Sequence, residues 1–178
     1  VLETYRNISL AMLNALVSLG VPAVQQPSRA QAGNSRPLMN PGHRLNPVCF
    51  EVPSDYEITC QNRKLIGSAQ ARRKRCLLQH GSLPLHGDLT HILKVLKFTD
   101  QTELESAQLK LVQRATTIEQ VLGEKISWEA AANAFQQSFS ETLNLVLEVS
   151  ELTADEINRA EELVESKYRH PSWTQRVN

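Results

Sequence analysis

The hydrophobic period of this chain changes twice, and that constrains its fold more than any other feature. Leu2, Tyr5, Ile8, Met12, Leu16 and Leu19 recur at helical intervals, and Gly20 is a natural stop. Across residues 49–87, CFEVPSDYEITCQNRKLIGSAQARRKRCLLQHGSLPLHG, strand-like spacing takes over. Helical signals then return. A strand-rich block enclosed by helices predicts an α+β domain, with a mixed sheet and flanking helices, better than a doubly wound nucleotide-binding fold. Neither GxGxxG nor GxxxxGK[ST] is present. The 178 residues, 41% of them apolar, suffice for one substantial domain.

Around the block, the elements follow from local chemistry. Residues 21–25 predict a short strand, and residues 26–46, rich in Pro, Gly, Asn and Ser, predict a long loop, of the kind that has a substrate-related role or is mobile. Residues 47–60 predict extended chain, with Tyr56, Ile58 and Cys60 sharing one face, and Gln61-Asn62-Arg63 a tight turn. A return strand starts at Lys64, and a second strand is expected over residues 76–85. Asp88 can cap a helix running to about Leu96, and Thr117 a short helix that stops before Gly123. Ser127 can cap a helix to about Leu145, with Trp128, Ala131, Phe135 and Phe139 on its buried face. Residues 146–149 predict a short strand. Thr153 and Glu156 form a capping box for a helix to about Lys167, and the terminal stretch carrying Tyr168 and Trp173 docks by its aromatics. Residues 116–178 thus form a mainly helical C-terminal region of a single domain.

Lysine plus arginine equals aspartate plus glutamate at 19 each, so net charge gives no general drive toward nucleic acid or an anionic membrane. No run of about 20 apolar residues predicts a membrane span. The first residues lack the basic leader of a signal peptide. Cys49, Cys60 and Cys76 do not have zinc-ligand spacing, and their odd number fits a reducing, cytoplasmic compartment. No metal site is expected.

Chemistry concentrates in the strand block. Cys49 is the leading nucleophile candidate, because a thiolate can accept an acyl group as a thioester, and His43 and Arg44 can supply positive potential. A buried structural cysteine is the competing reading, and the one that fits Cys60 and Cys76. Lys64 can place its ammonium beside a carbonyl or phosphate, or be an ordinary exposed turn lysine. Gly67, Ser68 and Ala69 leave room for close approach of a ligand or strand, and Gln70 can fix a backbone or amide orientation. His80, Gly81 and Ser82 lie among leucines, so His80 and Ser82 either shape a pocket or bond the scaffold. The run Arg72-Arg73-Lys74-Arg75 can attract an acidic carrier surface or form a solvated turn. Asp55 and Glu57 are expected to be surface carboxylates.

The pieces PVCFEVPSDYEI, NRKLIGSAQARR and LLQHGSLPL, in this order, resemble the lipoate–protein ligase and octanoyltransferase family, above all its cysteine-containing octanoyltransferase branch. Weaker resemblance extends through the first helix and LTADEINRAEELVESKYRHPSW. It implies a class II biotin/lipoyl-ligase-like catalytic fold. Cys49 matches the family cysteine that carries the acyl thioester, and Lys64 the lysine that contacts the acyl carbonyl. Gly67, Ser68, Ala69 and Gln70 match the adjacent substrate-binding segment, and His80, Gly81 and Ser82 a nearby structural or pocket segment. The family's arginine-rich, paired-glycine segment and upstream histidine have no match, so an N-terminal part of the catalytic domain is expected to be missing. The implied reaction moves octanoyl from acyl carrier protein, through a cysteine thioester, to a lysine of a lipoyl carrier domain such as the glycine-cleavage carrier protein. It needs no cofactor. An ATP- and magnesium-dependent lipoate–protein ligase and a noncatalytic carrier-binding protein are the alternatives.

Overall fold

The computed structural model describes residues 2–25, 57–73 and 76–175. It divides into two compact units, 1–145 and 146–178.

The first unit opens with helix α1, Leu2–Ser18, followed by strand β1, Val24–Gln25. Strands β2 (Ile58–Cys60), β3 (Arg63–Arg73) and β4 (Cys76–Ser82) complete a four-stranded sheet of order β1-β2-β3-β4. All three strand pairs are antiparallel. The described sheet is therefore antiparallel where a mixed sheet was expected; the parallel Lys64–Ala115 bridge is isolated and adds no strand. The α+β class read from the sequence holds. Ile58 and Cys60 enter the same core cluster, in keeping with the expected shared face, and Thr59 between them is buried as well. Tyr56 lies outside the described residues.

One core joins helix to sheet. Met12 and Leu16 of α1 meet Ile58, Leu65, Ile66 and Ile118. Burying a leucine or isoleucine contributes on the order of 1.5–3 kcal/mol, so this cluster fixes α1 across the sheet. Helix α4, Trp128–Leu143, packs on α1, where Ala11 and Ala15 are fully buried and allow close approach. Ser138 Oγ donates to the Ala11 carbonyl at 2.6 Å, and Asn14 Nδ2 donates to Thr142 Oγ1 at 3.1 Å. Phe135 and Phe139 stack and reach the core, as their helical spacing predicts. Trp128 does not; at the first turn beyond the Ser127 cap it is 72% exposed.

Between sheet and α4 lie three helical pieces. Asp88 accepts from the Thr90 amide, but the turn it caps, Leu89–Val95, is a 3₁₀-helix. Helix α2, Gln101–Arg114, was not expected from the sequence, because few apolar residues mark its inner face. Leu104, Ala107 and Leu111 close a second, smaller core with Leu93. Thr117 caps α3, Ile118–Leu122, which ends at Gly123 in the left-handed region (φ 79°). Strand β4 ends at Ser82 and not at Leu85. Pro84 has no N–H to continue the ladder, and its carbonyl instead accepts from the Ile118 amide at 3.0 Å.

The second unit contains α5, Ala154–Leu163, begun by the Thr153–Glu156 capping box in full reciprocal form. A π-turn, Val164–Tyr168, and α6, Pro171–Thr174, follow. Tyr168 and Trp173 meet edge to face at 5.1 Å between ring centres, and Lys167 Nζ lies over both rings. No strand forms over residues 146–149. Val146 and Val149 are about 90% exposed there, and β-branched residues without a pairing strand do not make a sheet.

Candidate functional site

The site is built on the β2–β3 hairpin. Gln61 and Asn62 take left-handed conformations, φ 51° and 61°, the pair of positive angles a two-residue hairpin turn needs. That turn sets Cys60 opposite Arg63 and Thr59 opposite Lys64. The ladder then slips: Ile58 pairs with Ile66, leaving Leu65 as an extra residue on β3. The bulge breaks strand alternation, and Lys64, Leu65 and Ile66 are buried in succession.

Lys64 is therefore not the exposed turn lysine that ordinary statistics favour. Only 7% of its surface is accessible, and its Nζ lies 2.5 Å from Glu57 Oε1. Glu57 is equally buried, correcting the expectation of a surface carboxylate. Its Oε1 accepts no hydrogen bond of normal geometry among the described residues, so the lysine's charge is what offsets its burial. The Lys64 main chain is held from the opposite side as well, its carbonyl accepting from the Thr116 amide at 3.0 Å.

Beyond the bulge, β3 carries Gly67, Ser68, Ala69 and Gln70 against β4. Gly67 pairs with Ser82, Ser68 with Gly81, and Ala69 with His80. The two predicted segments are thus neighbours in space. A Cβ on Gly81 would stand 2.6 Å from the Gly67 carbonyl, so the close approach of these strands requires glycine there. The phenol of Tyr5 on α1 shares a 2.8 Å hydrogen bond with Ser68 Oγ and donates to the Ser68 carbonyl at 3.3 Å. Gln70 Nε2 donates to Gln79 Oε1 at 2.8 Å, which ties it across the ladder. Arg72 reaches Thr4 Oγ1 at 3.1 Å.

Other expectations fare differently. His80, Gly81 and Ser82 are exposed along β4, so His80 and Ser82 are not polar groups enclosed by leucines. Cys60 is buried, and its thiol donates to the Pro22 carbonyl at 3.4 Å. Burial pushes that thiol above its ordinary range, with Arg63 opposing in part. Cys76 is exposed. Cys49, His43, Arg44, Asp55, Lys74 and Arg75 lie outside the described residues. Two contributors escaped the sequence reading, Glu57 and Tyr5. Counting register outward from the Gln61-Asn62 turn would have placed Glu57 beside the lysine; nothing local marks Tyr5.

Residues 1–140 match the model of the lipoyl protein ligase A/B catalytic domain. The chain belongs to that family. It is 34% identical over 176 residues to octanoyltransferase LipM of Symbiobacterium thermophilum, covering 99% of this chain and 62% of that protein. Octanoyltransferase LipM of Bacillus anthracis is 32% identical over 173 residues, 97% of this chain and 61% of that protein. Among solved structures, a lipoate-protein ligase A bound with ATP superposes with a TM-score of 0.69 at 26% identity, over 97% of this chain and 58% of that one. A bipartite lipoate protein ligase of Thermoplasma acidophilum, solved with its E2 lipoyl domain, gives 0.71 at 25% identity, over 96% and 56%. The chain spans about three fifths of the length of these family members. No described helix is long and apolar enough to cross a membrane.

Proposed function

We propose that this member of the lipoyl protein ligase A/B family serves octanoyl transfer, through a thioester on Cys49, from acyl carrier protein to a lysine of a lipoyl carrier domain such as the glycine-cleavage carrier protein. The observation that carries this reading is the buried Lys64 at the head of the small-residue segment Gly67–Gln70 in a chain whose relatives are octanoyltransferases. A cation withdrawn from water beside a narrow strand is suited to a developing oxyanion.

In the first step the Cys49 thiolate attacks the octanoyl carbonyl. A C–S bond forms, the carbonyl π electrons move onto oxygen, and Lys64 stabilises that charge. Collapse breaks the carbon–sulfur bond to the donor, whose thiolate takes up a proton. In the second step the carrier lysine, as a neutral amine, attacks the Cys49 thioester. A C–N bond forms, Cys49 leaves as thiolate, and the amine nitrogen loses a proton to give the amide. The acyl group arrives activated, so no ATP is consumed, and free thiols in both steps suit a reducing, cytoplasmic setting. Gly67, Ser68, Ala69 and Gln70 line the approach to Lys64, with Gly81 allowing the strand contact behind them. His80 and Ser82 contribute to the outer wall.

Intact mass after incubation with octanoyl-acyl carrier protein tests the reading. An octanoyl adduct lost in Cys49→Ser is expected; equal adduct formation by that variant overturns it. The likeness to a ligase solved with ATP favours a second reading, in which ATP and magnesium activate a free acid and Lys64 sits beside the acyl phosphate. Pyrophosphate release dependent on octanoate or lipoate would select it. Carrier binding with neither product would select a noncatalytic carrier-binding protein.

A further inference from the structure

We propose that Glu57 is the positioning residue for Lys64, setting where its ammonium stands during acylation. The inference rests on the acyl-transfer reading above. Three features of the hairpin support it. First, the two side chains are buried together at 2.5 Å, on a strand pair joined by a two-residue turn. Second, the bulge at Leu65 shifts the β2–β3 register beside Lys64 and breaks strand alternation there, so that Lys64, Leu65 and Ile66 are buried in succession. Third, the backbone of Lys64 is held by pairing with Thr59 on one side and by the Thr116 amide on the other, so where its head stands is set by what its buried four-carbon stem meets. A lysine head on such a stem needs an anchor if it is to meet an oxyanion in one place. Glu57 lies just before β2, is not among the residues the family resemblance assigned, and places a carboxylate in contact with that head.

Glu57 acts through Lys64 and contacts no reacting atom. Its effect should therefore vanish when Lys64 is neutralised, which a merely structural carboxylate would not show. The test is a cycle of Glu57→Gln, Lys64→Gln and the double variant in the complete encoded protein, reading single-turnover acylation of Cys49 at saturating octanoyl-acyl carrier protein. Glu57→Gln is expected to slow acylation about 10- to 100-fold, the scale of a displacement near 1 Å, with donor KM changed less than about threefold. In the Lys64→Gln background the same substitution is expected to change the rate by no more than about twofold. Glu57→Asp, which keeps the charge on a shorter arm, should fold and fall between. An unchanged rate in both Glu57→Gln and Glu57→Asp overturns the proposal, as does an equal loss with and without Lys64. If wild type forms no Cys49 adduct, the acyl-transfer reading fails and this inference with it. If wild type is acylated normally and only the cycle is flat, the inference alone fails.

Discussion

A lysine and a glutamate removed from water together are hard to replace singly. Lys64→Met would leave the Glu57 carboxylate buried beside no cation, and loss of about 3–5 kcal/mol is expected. Urea unfolding of the variant checks this, and adding Glu57→Gln should recover much of the loss. The cysteines separate by burial. With its thiol pushed upward, Cys60 holds less thiolate than an ordinary cysteine near neutral pH. Alkylation followed by peptide mapping should modify exposed Cys76 well before Cys60. At this scale the sequence revealed residue types but not surroundings. Lys64 was visible beside the small residues that follow it, whereas the burial of Glu57 against that lysine is a packing result that no local propensity encodes. His80 misled for the opposite reason. Its leucine neighbours suggested enclosure, but Leu77 and Leu78 are themselves partly or largely exposed.

Strands β3 and β4 depend on one missing side chain. Gly81→Ala forces a methyl group against the Gly67 carbonyl, and a cost of about 1–3 kcal/mol is expected from overpacking. A lower thermal midpoint, with weaker protection of the β3–β4 amides against hydrogen exchange, would show it. Helix α5 makes a pH-dependent prediction. The hydrogen bonds from the Thr153 amide and hydroxyl lower the pKa of Glu156 in the folded chain. A carboxylate with a depressed folded pKa contributes above its unfolded value and loses that contribution as pH falls through the folded value. The Thr153 amide resonance should therefore move on acidification below the ordinary glutamate range, and Glu156→Gln should flatten the response. Caps were the most legible elements, because Asp88, Thr117, Ser127 and Thr153 each act within three residues of themselves. Helix α2 was illegible because its inward residues are stabilised by packing with Leu89, Leu93, Leu96 and Phe98, contacts made in three dimensions.

At the scale of the whole chain, the described stretch after α4, residues 145–153, is largely exposed and without regular structure. Among the described residues, brief digestion with a glutamate-specific protease should cut first at Glu148 or Glu151, read by fragment mass; earlier cleavage within α4 would contradict this. The order of helix, strands and helices was readable from period alone, and the α+β class followed from it. What period could not supply was phase, and here the extra residue at Leu65 has a wider consequence. Deleting it would keep the net charge and nearly all the composition. It would also restore an uninterrupted β2–β3 ladder while turning each later residue of β3 to the opposite side relative to Lys64. Two genes could thus differ by a single leucine and encode different instruments, distinguished only by the count of residues between the lysine and the glycine.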